Sequence, residues 1–178
     1  LNTFCEFESS LGGHPDRNKI KWVEASTGSL GHGFPMAVGM AMALKIKKDP
    51  ARVFVLVGDG ECNEGSIWEA AMIASQHKLD NLTCIIDNNL STNRALPLGN
   101  LAEKWKSFGW SVSTADVEDN NRLLTGLRCL NFQPSVVIVN TIKGQGIKEM
   151  ENNPAWHHRA PNDEELERML KELCDSNS

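Results

Sequence analysis

VFVLVGDGECNEGSIWEAAMIASQHK (residues 53–78), running on into LDNLTCIIDNN (79–89), decides the fold. VFVLV (53–57) is apolar at every position and reads as a buried parallel strand, because a strand covered on both faces shows no polar alternation. TCIID (83–87) reads as a second strand, and the stretch from Glu64 to about Lys78 between them as a helix. A strand–helix–strand unit of this kind puts Gly58-Asp59-Gly60 and Asn88-Asn89 at the carboxyl ends of two parallel strands, the edge where open α/β sheets bind ligands. Asp59 offers a hard anionic oxygen and Asn89 an amide oxygen, both suited to magnesium. Gly58 and Gly60 are expected to allow a tight turn and close approach to a phosphate. Gly-Asp-Gly alone is a common turn. Its placement and spacing make it a metal-diphosphate site.

Outward from this unit the pattern keeps alternating. Gly31-His32-Gly33 precedes a helix from about Phe34 to Lys47, with Pro35 in its first turn and Lys45, Lys47 and Lys48 at its carboxyl end. Its small residues, Ala37, Gly39, Ala41 and Ala43, suit close packing. After the second strand a loop runs to about Gly99; Asn100 caps the helix LAEKWKSF (101–108), which Gly109 stops. WSVST (110–114) reads as a strand, Asp119–Asn131 as a helix, SVVIVNT (135–141) as a buried strand and KGQGI (143–147) as a Gly-rich loop. Asn162 or Asp163 caps an amphipathic tail helix, DEELERMLKEL. This order implies an α/β, doubly wound, mostly parallel sheet with helices on both faces. Residues 1–161 form the binding domain and 162–178 the tail helix.

Composition narrows the function classes. A chain of 178 residues can bury its own core as one domain. A net charge of −5 without a basic run gives no footprint for nucleic acid or a membrane surface, and no stretch is apolar and long enough to span a bilayer. The five scattered cysteines lack metal-ligand spacing and point to a reducing compartment, the cytoplasm, rather than a disulfide framework. The opening LNTFCEFESS lacks an initiating Met and any clear start of a fold, so the chain reads as cut.

GDGECNEGSIWEAA (58–71), with TGSLGHGFPMAVGMAMALK (27–45) upstream, strongly resembles the transketolase family of thiamine diphosphate enzymes. The motifs follow the family's order from about His14 to Pro161. The resemblance implies that Asp59 and Asn89 bind magnesium or another divalent cation bridging the cofactor's phosphates, with the backbone carbonyl of Ser91 as third ligand. Leu90, where the family usually has a basic residue, and the shortened loop LSTNRALPLGN (90–100) depart from the pattern. Gly60 is expected to donate its N–H to the diphosphate, at which the following helix aims its amino-terminal dipole. Gly28, Ser29 and Leu30 match the segment whose backbone lies against the aminopyrimidine ring; His32 stands where a Gln is frequent.

Four further sites follow from the same likeness. Glu64 matches an acid that reaches across a subunit interface to the acid activating the aminopyrimidine. His14, in GGHPD (12–16), matches a histidine near the thiazolium that contacts the donor sugar and assists proton transfer. Lys143 matches a lysine beside the cofactor. The family has one histidine where this chain has His157 and His158: spacing from Lys143 selects His157, alignment on Ala160-Pro161 selects His158. His77, at a helix end, is assigned no chemistry.

The activating acid lies, in transketolases, on a pyrimidine-binding domain that these residues do not include. The resemblance therefore implies the amino-terminal, diphosphate-binding subunit of a split transketolase, truncated at its start, whose partner is a carboxyl-terminal subunit with that domain. Self-association through the helix at Phe34–Leu44 is also expected. The implied reaction moves a two-carbon ketol unit from a ketose phosphate to an aldose phosphate. One alternative is a deoxyxylulose-phosphate synthase-like or 2-oxo acid decarboxylating enzyme; the other is a silent scaffold partner. TGSLGHG and GGHPD disfavour the first, Asp59 and Asn89 the second.

Overall fold

The computed structural model describes residues 3–128 and 132–176. Strands β1 (Val53–Gly58), β2 (Leu82–Asn88), β3 (Ser111–Asp116) and β4 (Ser135–Asn140) form one sheet in the order β1-β2-β4-β3, every pair parallel. Helices α1 (Gly33–Lys47), α2 (Gly65–Gln76), α3 (Leu101–Ser107), α4 (Asn120–Arg128) and α5 (Asp163–Ser176) accompany it. The helix expected from Glu64 to about Lys78 is α2, Gly65–Gln76, with Glu64 at its N-cap, and a 3-10 turn, Gly60–Asn63, precedes it. Residues 129–131 of the expected Asp119–Asn131 helix lie outside the described residues.

Alternation along β4 shows the double winding. Val136 and Ile138 join one buried cluster with Phe34 of α1, Ile67 and Ala71 of α2 and Trp105 of α3. Val137 faces the other way, onto α4, where a Cβ at Gly126 would come within 3.1 Å of its side chain. On α1, Ala37, Val38 and Ala41 pack inward, whereas Gly39 and Ala43 face outward and take no part in close packing. Caps stop the helices where the sequence places them: Asn100 accepts from the Glu103 N–H at 3.1 Å, and Gly109 takes φ 81°. Of the two candidates for α5, Asn162 is the cap, in a reciprocal box with Glu165 in which each backbone N–H donates to the other side chain at 2.9 Å.

One strand departs from expectation. VFVLV is apolar on both faces, but β1 lies at the sheet's edge, and Phe54 and Leu56 stand 50% and 68% exposed. Val53, Val55 and Val57 alone face the core. On the other face α4 packs over β3 and β4, and the Arg52 guanidinium lies over the Phe54 ring, 4.8 Å from its centroid.

The core also holds the site. Trp68, Trp105, Phe108, Trp110 and Phe34 pack ring against ring at 4.8–5.8 Å between centroids. Such pairs add about 0.5–1.5 kcal/mol each beyond area burial. The Trp68 Nε1–H reaches out of this cluster to the Cys62 carbonyl at 2.8 Å, anchoring the 3-10 turn. Among the described residues no helix is long and apolar enough to cross a membrane.

Candidate cofactor and metal site

Asp59 owes its position to the sheet. Its N–H donates to the Asp87 carbonyl at 3.0 Å, extending the β1–β2 ladder one residue past β1. The side chain is 2% exposed. Oδ1 accepts from the Gly60 N–H at 2.8 Å and the Ser91 hydroxyl at 3.4 Å, but Oδ2 is buried with no hydrogen-bond partner. An anionic oxygen taken from water without compensation costs several kcal/mol. A bound cation removes that cost, so the carboxylate fits a metal ligand.

Of the other two expected ligands, Ser91 reaches Asp59 through its hydroxyl, and Asn89 is joined to Ser91. Asn89 lies just past β2; its Nδ2 donates to Asp87 Oδ2 at 2.9 Å, and its Oδ1 accepts from the Ser91 N–H at 3.0 Å. The intervening Leu90 has φ 60°, a turn that brings the Ser91 hydroxyl back to Asp59. Asp87 is the brace that the sequence reading missed: its second oxygen accepts from the Thr141 hydroxyl just beyond β4. An aspartate inside a strand gives no signal for that role. Among the described residues no three His, Cys, Asp or Glu side chains form a metal-binding group; an Asp–Asn–carbonyl site is of another kind.

The glycines of the motif act otherwise than expected. Neither Gly58 nor Gly60 has a positive φ, so the turn does not need their backbone freedom. The space beside Gly60 is open, which suits an approaching ligand, and its N–H is engaged by Asp59 Oδ1. Cys62, in the same 3-10 turn, is buried, and burial followed by the charges of Asp59 and Glu61 pushes its thiol up to about 12. It stays protonated.

The 28–31 loop forms a second wall. Gly28 has φ 136°, and a Cβ there would sit 2.7 Å from His14 Cγ, so the His14 ring lies directly against it. Gly31 has φ 75° and is buried against α2, where a Cβ would meet Ser66 Oγ at 2.5 Å and Glu64 Cβ at 2.6 Å. Ser66 donates to the Gly31 carbonyl at 2.7 Å, and the Gly31 N–H donates to Glu61 at 3.1 Å. Ser29 and Leu30 are exposed, and His32 Nδ1 donates to the Leu30 carbonyl at 3.0 Å, bracing the loop. His14, Gly28, Leu30 and Glu61 line one end of a groove of about 1100 Å³ that continues along α1 and β1. Asp59, Asn88, Leu90 and Asn93 line a smaller cavity of about 250 Å³. The two flank the Asp59–Glu61 turn.

Lys143 follows β4 at the same carboxyl edge of the sheet. The structure brings it to His157, whose pKa it lowers, helped by slight burial and by His158. The two imidazoles stand 4.4 Å apart and edge-on, both exposed. Glu64, at the N-cap of α2, is exposed and its side chain makes no capping bond. His77 closes α2.

The sheet with this edge is the fold of thiamine diphosphate enzymes of the transketolase type. Residues 1–176 match the model for the transketolase thiamine diphosphate binding domain, and the chain belongs to that family. It is 43% identical, over 98% of its length and 66% of the relative's, to an apulose-4-phosphate transketolase subunit of Actinobacillus succinogenes. It is 34% identical, over 97% of its length and 66% of the relative's, to a 6-deoxy-6-sulfo-D-fructose transketolase subunit of a Clostridium species. The chain thus spans just under two thirds of these relatives. Campylobacter jejuni transketolase superposes on 97% of the chain with a TM-score of 0.86 at 29% identity, the match covering 29% of that enzyme.

Proposed function

We propose that this chain binds thiamine diphosphate through magnesium or another divalent cation and supplies the diphosphate-binding half of a transketolase. The enzyme moves a two-carbon ketol unit from a ketose phosphate to an aldose phosphate. The observation that supports the reading is the buried, unpartnered Oδ2 of Asp59, a residue whose other oxygen accepts from the Ser91 hydroxyl, while the Ser91 N–H donates to Asn89 Oδ1. Bound thiamine diphosphate supplies the electron sink that lets the bond beside a ketose carbonyl break. Asp59, Asn89 and the Ser91 carbonyl would hold the cation; the backbone of Gly28, Ser29 and Leu30 would support the aminopyrimidine end; Lys143 would carry positive charge toward the phosphates, with His157 beside it as a neutral imidazole able to donate a hydrogen bond.

His14, packed against Gly28, is placed to hold or move a proton on the donor sugar. Glu64, exposed and without a capping bond, is free to meet an acid of a second chain. Relatives named as single subunits of a transketolase support a separate partner with the pyrimidine-binding domain. Their names, one a sugar phosphate and one a sulfo-sugar, support a ketose with a terminal anionic group as donor. The division into a binding domain, 1–161, and a tail helix, 162–178, belongs to the same proposal.

Calorimetric titration of the assembled two-subunit protein with thiamine diphosphate, with and without magnesium, tests it. Asp59→Ala should weaken binding by about tenfold or more, about 1.4 kcal/mol per factor of ten. Equal affinity in wild type and variant would refute the metal site.

A further inference from the structure

We infer that Glu61 is a positioning residue that fixes the spacing between the two ends of the cofactor cradle, an inference that rests on the thiamine diphosphate reading. One carboxylate joins two separate loops. Oε1 accepts the Gly31 N–H at 3.1 Å, and Oε2 accepts the Gly58 N–H at 3.2 Å. Gly31 ends the loop assigned to the aminopyrimidine; Gly58 opens the turn assigned to the diphosphate. Residues 28–31 carry no regular secondary structure, and Gly31 is tied down at both ends of its peptide, by Glu61 at the N–H and by Ser66 at the carbonyl.

Electrostatics argues that this carboxylate serves the loops and not the ligand. Glu61 sits two residues from Asp59 and raises the same Cys62 thiol, so it adds negative charge where a diphosphate is to bind. A charge that opposes the ligand is explained by its two backbone donors, which need two acceptor oxygens at once. Gln has the same shape but only one acceptor oxygen; its amide N–H₂ would face one of the two N–H groups. A ligand held at both ends gains from a preset spacing between them, and a ligand that touches one end does not. Were Glu61 only an acid favoured at the start of a 3-10 turn, its loss would leave this difference unchanged.

The test titrates the assembled two-subunit protein with thiamine diphosphate and, separately, with inorganic pyrophosphate, both with magnesium. Glu61→Gln should loosen thiamine diphosphate about tenfold, a loss of one good hydrogen bond's geometry. Pyrophosphate should bind as before or more tightly, because a negative charge has gone. Ser66→Ala, which frees the other anchor of Gly31, should show the same selectivity and serves if Glu61→Gln folds poorly. Equal loosening of both ligands would mean a distorted Gly58–Gly60 turn and overturn the inference, as would unchanged thiamine diphosphate affinity. Wild-type protein that binds neither ligand would overturn the cofactor reading and this inference with it; the other failures leave the cofactor reading standing.

Discussion

Gly28→Ala is the sharpest probe of the wall formed by His14 and the 28–31 loop. At φ 136° the backbone of Gly28 occupies a region that L side chains rarely adopt, and the added Cβ would lie 2.7 Å from Cγ, 2.8 Å from Cδ2 and 3.1 Å from Nδ1 of His14. Two costs follow, and they separate. The backbone strain, about 1–3 kcal/mol, stays whatever His14 does. The steric overlap is relieved when the exposed His14 ring swings away, so it appears as lost function more than lost stability. For a chain of this size each kcal/mol lowers the melting midpoint by about 2–4 °C, so a drop of roughly 2–12 °C is expected. In the assembled enzyme, Gly28→Ala should lower kcat toward the level of His14→Ala, on the order of a hundredfold for a lost proton-transfer group. The double variant should be no slower than His14→Ala alone, because the ring that Gly28→Ala displaces is already gone, yet it should keep the full loss of stability. Independent kinetic effects, multiplying in the double variant, would refute the contact. Unchanged kcat in Gly28→Ala would refute the role of His14.

Three further expectations rest on other parts of the molecule. Trp105 is fully buried with an unpartnered Nε1–H, so Trp105→Ala should cost about 3–5 kcal/mol in urea unfolding, while Trp105→Phe, which removes the unsatisfied donor with the lost volume, should cost clearly less. The Lys143 ammonium disfavours a second positive charge on His157, so that imidazole stays neutral to lower pH than usual; Lys143→Met should move its NMR titration midpoint upward, and no movement would remove the pairing. The chain alone should show no ketol transfer and weak cofactor binding, both restored by a pyrimidine-domain partner; full turnover by the isolated chain would sink the split-subunit reading.

Most of the fold was legible because its signals are local. Three apolar strand runs and the mixed run WSVST, the Asn100 cap, the Gly109 stop and a cap at Asn162 or Asp163 each lie within a few residues and depend little on what packs around them. The edge position of β1 was not legible for the opposite reason. VFVLV reports that both faces avoid water, but the strand order that leaves Phe54 and Leu56 half-exposed or more is a property of the whole sheet. Nor does composition separate the inward Ala37 and Ala41 of α1 from the outward Gly39 and Ala43; only the partner surface does.

The candidate site shows the same division on a finer scale. Asp59 and Asn89 could be named as candidates from residue type and strand placement, because ligand chemistry restricts which side chains can stand at a strand end, whereas Ser91, expected to act through its backbone carbonyl, was named only from the family resemblance. Asp87, Glu61 and Ser66 could not, because each acts through a partner distant in the chain: Thr141 for Asp87, Gly31 for the other two. An acid in the first turn after Gly-Asp-Gly has a sufficient local explanation in the helix dipole, so no surplus signal marks Glu61 as a link. The role becomes visible only when Gly31 and Gly58 are seen on opposite oxygens of one carboxylate. Ligand-contacting groups are limited by chemistry and leave a pattern in sequence, whereas the groups that space them are limited by geometry. In this chain the spacing groups are the ones that hold the 28–31 loop and the Asp59 turn to each other, and substitutions there should alter cofactor affinity without touching a single atom of the cofactor.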